Sequence, residues 1–357
     1  MAVFNISAMS ARTPEEANEV SELIFKQIRE DKTIQELYSL VPNVSFDKHI
    51  PIIGLLSDIM QTKSANCEFP EGGAVVVTEK TWTPKTLQQE QRLCKDDTES
   101  KFHFWQSRNS NLVEKYDLTN SGELNYLIFL IEDAVKKAIV RVADFADTSA
   151  ALVSGGGKIT TSLGASGVAR MNAIDGLWSQ FIGIGTANAD QLVAISENGE
   201  ATKSAQLNLA ADTAKLTFEG MILGASEDVP NDAVIMCTRT LFNNYFKWLV
   251  DNSFDTATAV EGMEFRSITL AQYGVTIIER KDWDRNIKTY FDNGTTYDLP
   301  HRAVMTSRDN LLIGTESDTA LSSFTSHYSQ DTMKNIVREE IKIDAKVALD
   351  EAVMVAY

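Results

Sequence analysis

The sequence predicts an α+β fold, and three observations carry the prediction. Two short apolar runs, "DAVIMC" (232–237) and "GVTIIER" (274–280), read as buried strands within a block, 155–300, where helical and extended patterns alternate. A long helical pattern precedes that block, and extended segments occur both before the long helix and at the C-terminus. One unit is therefore expected to be discontinuous, with the other inserted into it.

In chain order, Thr13-Pro14-Glu15-Glu16 gives an N-cap, a proline at the first helical position and acids on the positive dipole end. Val20, Leu23, Ile24 and Ile28 follow at helical spacing, and a short second helix is expected through Ile34, Leu37 and Leu40. Residues 1–45 read as an arm whose apolar stripe has no partner nearby in the sequence. Residues 50–60 and 74–94 are extended patterns flanking a polar tip that contains Pro70 and Gly72-Gly73. They predict a long hairpin that protrudes and pairs elsewhere, because its distal half lacks an apolar face.

The strongest signal comes next. Leu124, Leu127, Ile128, Ile131, Val135, Ile139, Val142 and Phe145 keep helical spacing, a pattern that runs about 35 Å and predicts a helix over 121–148. "LVSGGGKITTS" (152–162) then brings three consecutive glycines. Helices are expected at 172–184, 210–223 and 238–252, the last with Thr238 as N-cap. Two short strands are expected about a turn at Arg308–Asn310. In 338–349, Ile341, Ile343, Ala345 and Val347 alternate onto one face, and Glu339 and Glu340 point to opposite faces.

Composition narrows the function. The net charge of −17 and pI near 4.7 argue against sequence-independent grip on nucleic acid. Three cysteines, Cys67, Cys94 and Cys237, are odd in number and far apart, which suits reduced thiols in a cytoplasmic setting. Neither a signal peptide nor an apolar run of ~18 residues is present, so a soluble, intracellular chain without a membrane partner is expected.

The motifs that could carry chemistry fail on their own terms. Gly157-Lys158 lacks the upstream glycine of a phosphate loop, has Ile159 where a hydroxyl belongs, and follows a helix instead of a strand. Gly183-Ile184-Gly185 lacks a third glycine, and Gly164–Val168 misses the nucleophile-elbow pattern. His49, His103, His301 and His327 have no ligand spacing. No catalytic, cofactor-binding or metal residues are assigned, and no enzyme is expected. An α/β enzyme using the 155–300 block is the alternative from another class.

The order of elements, with the stretches "TEKTWTPKTLQQEQRLCKDDTES" (78–100), "NAIDGLWSQF" (172–181) and "DAVIMCTRTLFNNYFKWL" (232–249), resembles the major capsid proteins of tailed double-stranded DNA bacteriophages. "RAVMTSRDNLLIGTE" (302–316) and "REEIKIDAKVALDEAVMVAY" (338–357) resemble that family's C-terminal close. The Cys-Lys-Asp run at 94–96 with Phe104-Trp105 resembles capsid proteins of Bacteroidetes-infecting phages.

The resemblance implies a Hong Kong 97-like (Johnson) fold. Its parts would be an N-terminal arm (1–48), an E-loop hairpin (49–92), a peripheral domain (93–152 and 299–357) with spine helix 121–148, and an axial domain (153–298). Residues 101–119 and 186–208 would be extra loops, and a separate scaffold or none is implied because the arm begins near Met1. The partners implied are further copies of the chain, in hexamers and pentamers. Portal, scaffold or decoration proteins would join them, with double-stranded DNA enclosed but not specifically bound. The location implied is the virion head shell, assembled in the host cytoplasm. Glu68, Phe69, Pro70, Trp82, Leu23 and Ile24 are the expected inter-subunit contacts, and Gly155, Gly156 and Gly157 the expected interdomain hinge. An encapsulin-type shell is the alternative within the same fold.

Overall fold

The structure, a computed structural model, describes residues 32–53, 77–93, 122–252, 266–270, 273–316, 323–329 and 334–357. The expected N-terminal helix, hairpin tip and 101–119 loop lie outside the described residues, as do Leu23, Ile24, Glu68, Phe69, Pro70, Cys67 and Cys94.

The first described elements are α1 (Lys32–Leu37), β1 (Ser39–Val41), β2 (Lys48–Ile53), β3 (Val77–Trp82), β4 (Lys85–Leu93) and α2 (Gly122–Phe145). The middle of the chain forms α3 (Gly164–Ala169), α4 (Leu177–Ala187), β5 (Leu192–Val193), α5 (Lys203–Leu207) and α6 (Thr213–Gly224). There follow β6 (Val234–Thr238), α7 (Arg239–Asp251), β7 (Ser267–Leu270), β8 (Val275–Arg280) and α8 (Lys281–Tyr290). The chain closes with β9 (Ala303–Thr306), β10 (Leu311–Thr315), β11 (Ser323–Ser329), β12 (Lys334–Val347) and β13 (Met354–Ala356).

Strand β12 organises a five-stranded sheet. Residues 335–343 pair antiparallel with β4. β11 pairs with 334–340 and β10 with 343–347, both antiparallel, and β1 adds parallel to β10. The expected inward face is present: Ile341, Ile343, Ala345 and Val347 are buried, as period-two alternation requires.

A six-stranded mixed sheet has the order β5-β13-β9-β6-β8-β7, with β6 and β8 parallel and helices α7 and α8 following them. The two sheets are interleaved in sequence. Strands β9 and β10 flank the expected turn at Arg308–Asn310, yet β9 joins the six-stranded sheet and β10 the five-stranded one. Strand β13, at the end of the chain, also returns to the six-stranded sheet. Asn310 holds this crossover. Its Nδ2 donates to Thr306 Oγ1 and to the Leu349 carbonyl, both at 3.0 Å, and its Oδ1 accepts from Leu349 N at 2.6 Å.

Helix α2 bridges the sheets. Ile131, Val135, Ile139, Val142 and Phe145, on one face at i, i+4, i+7 spacing, are buried in an apolar cluster shared with α4, α8, β10 and β12. A second cluster packs α6 and α7 on the opposite face of the six-stranded sheet. α4 begins at Leu177, later than the helix expected from Asn172. The reason is Gly176: a Cβ there would lie 2.9 Å from the Val142 and Ala143 carbonyl oxygens. The chain must pass α2 at backbone contact before it can turn into a helix. Helix α8 was not expected, because its buried positions Trp283, Ile287 and Tyr290 stand among charged residues.

Candidate functional site

The sequence points to assembly surfaces rather than a pocket, and the described part of the hairpin is its base. β2 and β3 pair antiparallel from Lys48↔Trp82 to Ile53↔Val77. Thr83-Pro84 then separates β3 from β4.

Three contacts fix this base to the five-stranded sheet. Lys80 Nζ donates to the Val347 carbonyl at 2.7 Å and pairs with Asp350 at 2.6 Å. Thr83 N donates to Asp344 Oδ2 at 2.7 Å. Trp82, 2% exposed, lies flat on Gly314, where a Cβ would come within 2.9 Å of the indole. Trp82 packs against Gly314 of its own chain, where the ring has a slot that no larger residue would leave.

Beside this base, a groove of about 910 Å³ runs between the β4–β12 ladder and helices α2 and α3. Gln89 stands opposite Glu339 in the ladder and Leu87 opposite Ile341, so these side chains share the groove face. Glu339 is 4% exposed, and neither carboxylate oxygen has a hydrogen-bond partner. Burial alone pushes its pKa up to about 7. Across the groove, Arg141 Nε is likewise buried without a partner, although its guanidinium lies 5.4 Å from the Tyr290 ring centroid. Sequence reasoning placed Glu339 and Glu340 on opposite faces but assigned neither a role. The signal was available, since Glu339 is in phase with Ile341 and Ile343.

The joint between the two sheets is built on buried charge that sequence reasoning also missed. Asp144, near the end of α2, accepts from Tyr38 Oη at 2.8 Å, Arg280 Nη2 at 2.8 Å and Trp283 Nε1 at 2.8 Å. Arg280 also grips Asp282 through Nε and Nη2 at 3.0 and 2.6 Å. α1, α2, β8 and α8 thereby meet at one network. Nearby, Arg302 is 2% exposed, donates to the Leu299 and Asp298 carbonyls, and lies 5.2–5.7 Å from the ring centroids of Trp178, Phe145 and Phe291. Burial lowers its pKa to about 10, which leaves it charged at neutral pH.

The triple-glycine stretch is a closed loop. Val153 N donates to the Ile159 carbonyl, Ile159 N to Ala151, and Gly157 N to Leu152, all within 2.8–2.9 Å. Gly156 has φ +85, and a Cβ on Gly157 would fall 2.2 Å from the Ala151 oxygen, so the glycines satisfy a left-handed backbone and a close approach. Thr160 N and Oγ1 bind the Tyr290 and Thr289 carbonyls at the end of α8. Ile159 is where the phosphate-loop hydroxyl would be, and it is buried.

Among the described residues, no group of His, Cys, Asp and Glu side chains could hold a metal ion, and no helix is long and apolar enough to cross a membrane. His301 is buried between Thr240 Oγ1 and the Gln206 carbonyl, each at 2.7 Å, and burial holds its pKa below the usual value. Burial pushes the Cys237 thiol well above its usual range, which removes it as a nucleophile.

No protein-family model and no curated protein matches the sequence. Solved structures match over nearly its whole length. A chain of the satellite phage P4 procapsid, a particle that includes the size determination (Sid) protein, is 12% identical. The match covers 94% of this chain and 98% of that one at a TM-score of 0.51. A chain from the capsid of an empty GTA particle is 10% identical, with 94% and 89% covered and a TM-score of 0.50. At such identities the likeness is one of fold. The chain is an α+β protein with a Hong Kong 97-like capsid fold.

Proposed function

We propose that this chain is a major capsid protein of a tailed double-stranded DNA phage, a structural subunit and not an enzyme. It assembles with itself into hexamers and pentamers that close into an icosahedral head shell. The observation that supports this reading is the whole-length fold likeness to chains of phage and GTA capsids. A single shared domain would say far less.

In this reading residues 1–48 are the arm, 49–92 the E-loop hairpin, and 93–152 with 299–357 the peripheral domain carrying α2 as its spine. Residues 153–298 are the axial domain, and β9 and β13 of the peripheral segment pair into its sheet. Glu68, Phe69, Pro70, Leu23 and Ile24 contact neighbouring subunits, while Trp82 anchors the hairpin. Any tilt between the domains passes through the Gly155–Gly157 loop and its anchor on α8. Contacts between unlike surfaces of identical subunits close into rings. The net charge of −17 suits a container, because a lining that bound DNA tightly would hinder packing and release. Portal, scaffold or decoration proteins complete the head. The finer assignment to a Bacteroidetes-infecting phage rests on the 94–96 and 104–105 residues alone.

The test is deletion of residues 62–72 in the full chain, followed by electron microscopy and thermal unfolding. The expected outcome is a folded subunit that forms no shells. Intact particles from that variant would refute the hairpin's role.

A further inference from the structure

The groove beside the hairpin base holds a carboxylate without a hydrogen-bond partner among the described residues. Both Glu339 oxygens are buried and accept no hydrogen bond. Its raised pKa has burial as its cause, with no cation among the described residues acting against it. An ionised carboxylate in such a place is strongly unfavourable for the isolated chain. The alternation of β12 asks only for an apolar residue at this position, like Ile341 and Ile343 on the same face. Folding alone therefore does not account for the acid. The groove has room for an incoming side chain, because Ala138, Ala169 and Ala173 form part of its wall.

We infer that this groove is a docking site for a second copy of the chain, which inserts a Lys or Arg side chain to pair with Glu339. Charge complementarity selects that occupant. A buried carboxylate without donors calls for a cation that brings hydrogen bonds. Copies that each carry a net charge of −17 repel one another, so contacts within a shell of them need local pairs of opposite charge. A lone carboxylate does not make a metal site, since hard divalent ions take six or more oxygen ligands. The buried Arg141 Nε on the facing helix offers the incoming chain a donor in return. This inference rests on the shell reading.

The experiment compares the full chain with E339Q, each purified as dissociated subunits. Assembly against concentration is followed by light scattering and checked by negative-stain microscopy, and subunit stability is measured by thermal unfolding. The expected result is an E339Q subunit that melts no lower than the parent but assembles only at about tenfold higher concentration or more. E339Q assembling at the parent's concentration overturns the docking site and leaves the shell reading standing. A lower melting temperature for E339Q assigns the acid to the chain's own fold and overturns the docking site as well. A parent chain that forms no particles at any concentration overturns the shell reading, and this inference with it.

Discussion

Glu339 and Asp144 are both buried carboxylates, and they do opposite things. Asp144 is surrounded by donors from Tyr38, Arg280 and Trp283, so removing it leaves the Tyr38 hydroxyl and the Trp283 N–H without their acceptor and leaves Arg280 with Asp282 alone. Asp144→Ala is expected to cost about 3–5 kcal/mol of stability, measured by urea unfolding. Glu339 has no donors, and its pKa of about 7 lies above the ordinary 4.5. A carboxyl raised on folding stabilises the native state most below its unfolded pKa and loses that contribution as pH rises through the folded value. Relative to the parent, Glu339→Gln should gain up to about 3 kcal/mol at pH 8 and little at pH 4, read from urea midpoints across that range. An unchanged difference between the two pH values would contradict the burial of this group.

At this scale the sequence was only partly legible. Alternation put Glu339 on the inward face, but no pattern in one strand reveals which residues of α2 and β4 withhold a partner. Tyr38, Asp144 and Arg280 lie too far apart in sequence for any spacing rule to join them.

At the level of elements, periodicity read the long helix, the buried strands and the β12 alternation because each has an apolar face of sufficient length. It missed α8, with three buried apolar positions among charged and polar residues, and β1, β5 and β13, which are two or three residues long and exist only through pairing. It read the two strands about the turn at Arg308–Asn310, but not that Asn310 parts them into separate sheets. The hairpin base depends on one fit between elements, Trp82 against Gly314. Gly314→Val would overfill that slot and should cost about 1–3 kcal/mol. If the base aims the hairpin at a neighbour, the same variant should also assemble less well than its stability loss explains. Both effects are measurable by unfolding and particle yield.

The described residues form two interleaved sheets bridged by α2, with the β2–β3 pair beside them and the last strand returned to the six-stranded sheet. The sequence made this architecture legible mainly through the order of its elements. Motif searching added only exclusions, and the glycine loop is the clearest of them: its backbone bonds and the buried Ile159 leave no phosphate cradle. The function proposed for the chain is to build a shell with copies of itself. Electron microscopy of the purified full chain across a concentration series tests it most directly. The expected result is closed particles built from rings of five and six subunits, with double-stranded DNA inside those recovered from infected cells. Compact monomers at every concentration would contradict it, and closed shells filled with protein cargo instead of nucleic acid would contradict the phage assignment.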